Sequence, residues 1–160
     1  MISKEFVTAG KAVFTVEVDP VFAEKFDLKP HYTFKVKFKP GGPKEDKPGE
    51  NWPDAYFVSL LTGPDNYRNY TYLGKLIPDT GEVRLTNGSK FMDDSWPVKV
   101  IRHVLARVWA GEGDKITDAG WDCHHMGKCG RCGRRLTVPR SVLNGIGPEC
   151  EKIVFGVRAA

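Results

Sequence analysis

Four cysteines lie in the last 38 residues of this 160-residue chain, and their spacing constrains the fold more than any other feature. Cys129 and Cys132 form a Cys-x-x-Cys pair, and Cys150 follows after 17 further residues. Structural zinc is held by four thiolate or imidazole ligands at spacings of this kind. Metal binding can replace the hydrophobic core that so short a segment cannot build. The spacing therefore predicts one structural zinc ion near the C-terminus.

The fourth zinc ligand is expected just upstream, where Cys123, His124 and His125 are consecutive. His125 completes a His-x-x-x-Cys-x-x-Cys pattern with a short loop to the pair. Cys123 would instead give a four-cysteine site with a five-residue loop to Cys129. We predict His125 as the fourth ligand and keep Cys123 as the alternative.

Two other uses of the cysteines compete with zinc. An even number of cysteines permits a disulfide framework, but disulfides need an oxidising compartment, and no apolar export signal follows Met1. A thioredoxin-like redox pair belongs at a strand-to-helix turn of a βαβ unit, and the sequence has no such context. We therefore favour zinc and expect a cytoplasmic protein.

The cysteine segment also resembles a known family. Residues 125–141 and 145–150 resemble a zinc-ribbon-like, treble-clef-type domain family of unknown function, found in bacteriophage and actinobacterial proteins. The shared pattern is His-x₃-Cys-x₂-Cys-Gly-Arg, then Leu-Thr-x-Pro-x-Ser, then Gly-x-Gly-Pro-x-Cys, with Lys128 where arginine is more usual. The metal positions of the family correspond to His125, Cys129, Cys132 and Cys150. The resemblance implies a phage-type protein working in a bacterial cytoplasm, and it implies no reaction.

The sequence before the cysteines predicts mainly strands, followed by one helix. In the clearest strand, Tyr32, Phe34, Val36 and Phe38 alternate with Thr33, Lys35, Lys37 and Lys39. A 3.6-residue period then begins near residue 96 and predicts a helix over about 96–110, with Pro97 in its first turn. We predict an α+β fold: a small, mostly antiparallel sheet or partial barrel with one packed helix, plus a C-terminal treble-clef or zinc-ribbon module.

The domain organisation follows from these patterns. We predict a β-rich body over residues 1–111, a linker over 112–122 and a zinc-binding module over 123–160. The Pro- and Gly-rich segment 39–53 predicts a long mobile loop within the body, because strand patterns resume directly after it.

Charge is concentrated in the zinc module and suggests a partner. Residues 1–122 contain 17 basic and 18 acidic residues, whereas residues 123–160 contain seven basic and two acidic residues. Clusters of this kind typically attract phosphates, and tyrosines beside a cation are typical of single-strand binding. The candidate nucleic-acid contacts are Lys128, Arg131, Arg134, Arg135 and Arg140 in the module, and Lys35, Lys37, Tyr67 and Arg68 in the body.

A protein partner is the alternative to nucleic acid. A compact phage-type protein could modulate a host bacterial protein, such as a defence or transcription component, with Trp52 as an interface anchor. Catalysis is disfavoured, since the chain has no Walker loop, dinucleotide fingerprint, His-Glu-x-x-His or deaminase motif. The sequence has no apolar run of membrane-spanning length. We therefore predict a non-enzymatic zinc protein with neither a membrane nor a small-molecule partner.

Overall fold

The structure, a computed structural model, describes residues 2–65, 68–137 and 139–155. The strands in these residues are β1 (Lys11–Glu17), β2 (His31–Lys39), β3 (Gly42–Pro43), β4 (Asn51–Trp52), β5 (Ala55–Leu61), β6 (Tyr70–Ile77), β7 (Glu82–Arg84) and β8 (Asp122–His125). The helices are α1 (Lys4–Val7), α2 (Pro20–Phe26), α3 (Trp96–Trp109), α4 (Gly113–Asp118), α5 (Pro139–Asn144) and α6 (Pro148–Val154). The fold is α+β, as predicted. No helix in these three ranges has the length and apolar character that crossing a membrane requires.

Six strands form one antiparallel sheet in the order β7-β6-β5-β2-β1-β8, which curls into a half-barrel. This confirms the predicted antiparallel sheet or partial barrel. The pairs β1–β2 and β5–β6 join sequence neighbours, whereas β8 reaches β1 from more than 100 residues away. The sheet therefore joins segments from residue 11 to residue 125.

The alternating pattern of β2 gives the sheet two different faces. Tyr32, Phe34 and Val36 are buried and belong to the same core cluster as Val98, Ile101 and Leu105 of α3. We call this covered side the inner face. Successive strand residues point to opposite sides, so Lys35, Lys37 and Lys39 lie on the side away from α3, which we call the outer face.

The prediction of a single packed helix is wrong, because several further helices are present. They are too short for a hydrophobic period to be visible in the sequence. The four-residue α1, for example, depends on a side-chain cap, in which Ser3 Oγ accepts a hydrogen bond from the Phe6 amide at 3.1 Å. Within the predicted linker, α4 buries Ile116 in the core.

The segment 39–53, predicted as a loop, contains a two-stranded arm formed by β3 and β4. β3 and β4 pair as a separate two-stranded sheet, with Gly42 opposite Trp52. The Lys44 amide donates to the Glu50 carbonyl at 2.9 Å, and their side chains form an ion pair at 3.3 Å. The arm holds Trp52 beside the outer face, with 61% of the residue exposed.

The C-terminal segment shares its core with the body. β8 pairs with β1, so that Cys123 lies opposite Val16. Leu136 and Ile146 belong to the same buried cluster as Phe6 near the N-terminus. The cysteine-bearing segment is therefore packed against both β1 and α1.

Candidate metal centre and basic sheet face

Three of the four cysteines meet in space. The Sγ atoms of Cys129, Cys132 and Cys150 all lie within 4.8 Å of one another. Thiolates around one tetrahedral zinc ion are about 3.8 Å apart, given Zn–S bonds of about 2.3 Å. The three sulfurs are therefore close enough to hold a metal ion with small side-chain adjustments.

Local backbone geometry positions these thiols. Cys129 and Cys132 lie in a tight turn closed by Gly133, whose φ of +79° is strained for other residues. Gly133 donates its amide hydrogen to the Cys129 carbonyl at 2.9 Å. Cys150 lies in the first turn of α6, after Gly147 as N-cap and Pro148.

The environment of Cys129 favours a thiolate. Its Sγ accepts hydrogen bonds from the amides of Arg131 at 3.4 Å and Gly147 at 3.3 Å. Burial acts to raise the pKa of Cys129, but hydrogen bonds from backbone amides outweigh it and lower this pKa to about 7. Burial raises the pKa of Cys150, while a hydrogen bond from the Arg131 guanidinium acts to lower it. The Cys129 thiol therefore loses its proton more readily than an ordinary cysteine, as metal binding requires.

His125 lies outside this group of thiols. Its Nδ1 accepts a hydrogen bond from the Gly127 amide at 2.9 Å, and its Nε2 contacts the Val142 carbonyl. Its ring also packs on Phe6, with 5.8 Å between ring centroids. In the described ranges no fourth His, Cys, Asp or Glu joins the three cysteines. In this arrangement His125 links β8 to α5.

The alternative ligand, Cys123, also lies outside the group. It is fully buried on the inner face of β8. Burial, assisted by the charge of Asp122, raises the pKa of Cys123 to about 12. In this arrangement the Cys123 side chain is part of the core.

Substituting His125 tests whether it is a ligand. Because both ring nitrogens bond to the backbone, we expect His125→Ala to retain the metal content of the wild type and to lower stability by about 1–3 kcal/mol. Metal content per purified chain and urea unfolding would measure the two effects. Loss of the metal in this variant would show that His125 turns toward the thiols when the ion binds.

The predicted basic contacts of the C-terminal segment occupy different settings. Arg134 and Arg135 are exposed and line the cavity beside the cysteines. Arg131 donates to Cys150 Sγ at 3.5 Å, and Arg140 pairs with Glu151 at 2.6 Å. These last two arginines therefore have structural contacts of their own.

The predicted contacts of the body lie on the outer face and next to the C-terminal segment. Lys35 extends over Tyr70, with its Nζ 5.1 Å from the ring centroid. Lys35, Tyr70 and Lys128 line one cavity of about 570 Å³. Lys37 lies directly opposite Lys11 in the β1–β2 register. The fold thus brings lysines from two distant sequence segments to one face.

One further predicted contact of the body, Arg68, lies at the β5–β6 turn. Arg68 is exposed there, and its amide donates to Asp65 Oδ1 at 3.2 Å. Tyr67 falls outside the described residues.

Sequence patterns missed two features of the outer face. Glu17, Asp122 and His124 form an exposed group of side chains within 4.8 Å, which only the β1–β8 pairing brings together. A groove beside the arm is lined by Trp52, Phe57, Tyr72 and Lys75, among others. The alternation of β5 and β6 could have placed Phe57 and Lys75 on one face, but nothing in the sequence places Trp52 beside them.

A comparison with known protein families finds a match, and it lies in the cysteine segment. Residues 124–155 match the model of a family of unknown function, DUF6011. This match covers about a fifth of the chain and includes all three clustered cysteines. No curated protein and no solved structure gives a significant match. The chain therefore combines a segment similar to DUF6011 with a possible metal site and a half-barrel sheet.

Proposed function

We propose that this protein binds nucleic acid through the outer face and the adjoining C-terminal segment, and that a zinc ion held by the clustered cysteines stabilises that segment. The observation that carries the proposal is the direct pairing of Lys11 with Lys37 across β1 and β2, beside Lys35. The role is one of binding, without a catalytic step. The bacterial cytoplasm implied by the resemblance would supply both nucleic acid and reducing conditions.

The paired lysines impose an electrostatic cost on the free protein. Like charges directly opposite each other on neighbouring strands are destabilising. Within the described ranges, no carboxylate lies within 4.0 Å of Lys11, Lys35 or Lys37. The pKa of Lys35 is lowered by burial and then by the charges of Lys37 and Lys11. A phosphate backbone would remove this repulsion, which is why we favour a polyanion as the partner.

The zinc ion would be bound by Cys129, Cys132 and Cys150, and the fourth ligand of a structural site would have to come from a residue outside this group. Soft thiolates select zinc among the common divalent metals of the cytoplasm, and the amides around Cys129 support its thiolate form. Bound metal would fix the turn that carries Arg134 and Arg135. It would also fix that turn against β1, where the Lys11 amide donates to the Gly130 carbonyl at 2.6 Å.

Salt dependence of binding tests the proposed role of the lysines. We expect the protein to bind labelled oligonucleotides with an affinity that falls steeply with salt. Each phosphate contact contributes about 0.7 to the slope for single strands. The combined variant Lys11→Gln, Lys35→Gln, Lys37→Gln should therefore reduce the slope of log K against log salt concentration by about 2.

The control removes the same charge at positions outside the sheet. Lys25, Lys29 and Lys99 are exposed on α2, the loop after it and α3, and their replacement by glutamine should leave the slope unchanged. If the two triple variants reduced the salt slope equally, binding would depend on the net charge of the protein and not on the lysines of the outer face. No binding of wild-type protein to DNA or RNA at low salt would refute the proposal and favour a protein partner instead.

A further inference from the structure

A groove of about 690 Å³ lies between the arm and the outer face, at the end of the sheet away from β8. The arm contributes Trp52, the strands contribute Phe57 and Tyr72, and Asn87 lies in the turn after β7. The groove is therefore bounded by aromatic rings from three separate segments. The groove is accessible to solvent, since its lining residue Trp52 is exposed.

The aromatic wall of the groove is held in place before any ligand arrives. Tyr72 and Thr86 hydroxyls are hydrogen-bonded at 2.9 Å, and the Tyr72 ring meets Phe57 edge-on, with centroids 5.8 Å apart. Trp52 is held by the arm, and Lys44 Nζ lies 4.6 Å from its ring centroid. Rigid rings lose little conformational entropy when a flat group stacks on them.

The positive charge of the groove favours flat ligands that carry negative charge. Lys39 and Lys75 line it, and none of the described residues in its lining carries a carboxylate. Lys75 Nζ lies 5.9 Å from the Phe57 centroid, so cation and ring are side by side. Lys39 continues the lysine row of β2 that begins with Lys35 and Lys37. The groove thus combines stacking surfaces with the cationic track of the outer face, which is the combination that binds single strands.

We infer that this groove is a base-stacking site for single-stranded nucleic acid. An unpaired base stacks on Trp52 beside the Phe57–Tyr72 pair, and the flanking phosphates meet Lys39 and Lys75. The strand then continues along the lysines of β2. Paired bases are stacked on each other and cannot enter the groove, so the site gives the protein a preference for single strands. This inference rests on the proposed nucleic-acid binding and specifies its ligand.

The test compares single-stranded and duplex probes with a Trp52→Ala variant. The probes are a fluorescein-labelled oligothymidylate of about 12 nucleotides, within the usual site size, and a duplex of equal length. We expect Trp52→Ala to weaken binding of the single strand about tenfold and to leave duplex binding and the salt slope unchanged. Because Trp52 is exposed, the variant should keep the circular dichroism spectrum of the wild type.

The control is Phe26→Ala, which removes an exposed aromatic ring from α2, outside the groove. Equal single-strand affinities of Trp52→Ala and Phe26→Ala would overturn the groove assignment, while the lysine-dependent salt slope could still support nucleic-acid binding. Trp52-dependent binding of a proline-rich peptide, without such dependence for the oligonucleotide, would also overturn it. Failure of the wild type to bind any nucleic acid would refute both proposals.

Discussion

Replacing Cys129 with serine is expected to abolish metal binding and to unfold the C-terminal segment. Cys129 is fully buried, and its Sγ lies within 4.8 Å of the Sγ atoms of Cys132 and Cys150. The free energy of zinc binding in zinc-finger peptides is about 10–16 kcal/mol, and it drives their folding because the unfolded peptide has no preformed site. Metal analysis of the purified wild type should return about one zinc per chain, and the variant should return almost none.

The consequences should extend beyond the metal. The turn that carries Cys129 is hydrogen-bonded to β1 through the Gly130 carbonyl. It is also hydrogen-bonded to Gly147, the residue before α6, through Cys129 Sγ. We therefore expect protease cleavage between residues 123 and 155 in Cys129→Ser, and a lower unfolding midpoint for the rest of the chain. A chelator applied to the wild type should produce the same cleavage pattern.

The matched control for this experiment is Cys123→Ala. Cys123 is equally buried but lies outside the cluster of thiols. This variant should keep its zinc and lose only the packing of one small side chain. Loss of metal from Cys123→Ala, or a full complement of zinc in Cys129→Ser, would contradict the assignment of the ligands.

The second large effect is expected at Phe6, which joins the N-terminal helix to the cysteine segment. Its ring lies 6.4 Å from that of Phe14 and 5.8 Å from that of His125. A Cβ atom at Gly130 or Gly145 would come within 2.6 or 2.7 Å of the Phe6 ring, so the backbone closes tightly around it. Phe6→Ala should lower the free energy of unfolding by about 3–5 kcal/mol.

Urea unfolding monitored by circular dichroism would measure this loss, with Val21→Ala as the control. Val21 is 75% exposed on α2 and should change stability by less than about 0.5 kcal/mol. Because Phe6 supports the turn of Cys129, Phe6→Ala should also weaken zinc affinity. A Phe6→Ala protein with unchanged unfolding and zinc affinity would show that the C-terminal segment does not depend on α1.

Elements with a strong local pattern could be predicted from the sequence. The alternation of residues 32–39 matches β2, and the period after residue 96 matches α3, because each element buries one face against the core. The Cys-x-x-Cys pair and Cys150 come together as expected. Short elements such as α1 could not be predicted, since a cap and tertiary packing stabilise them rather than a repeating pattern.

The amino-acid sequence by itself determined the α+β class, the antiparallel strands, the three clustered thiols and the excess of basic residues near the C-terminus. Only the tertiary structure decided which side chains meet across long sequence separations. The β1–β8 pairing buries Cys123 in the core, hydrogen bonds to Gly127 and Val142 hold His125 apart from the thiols, and β1–β2 pairing sets Lys11 against Lys37. The physical reason is that strand register and core packing are non-local: they depend on the burial of many side chains at once, and no local spacing encodes them.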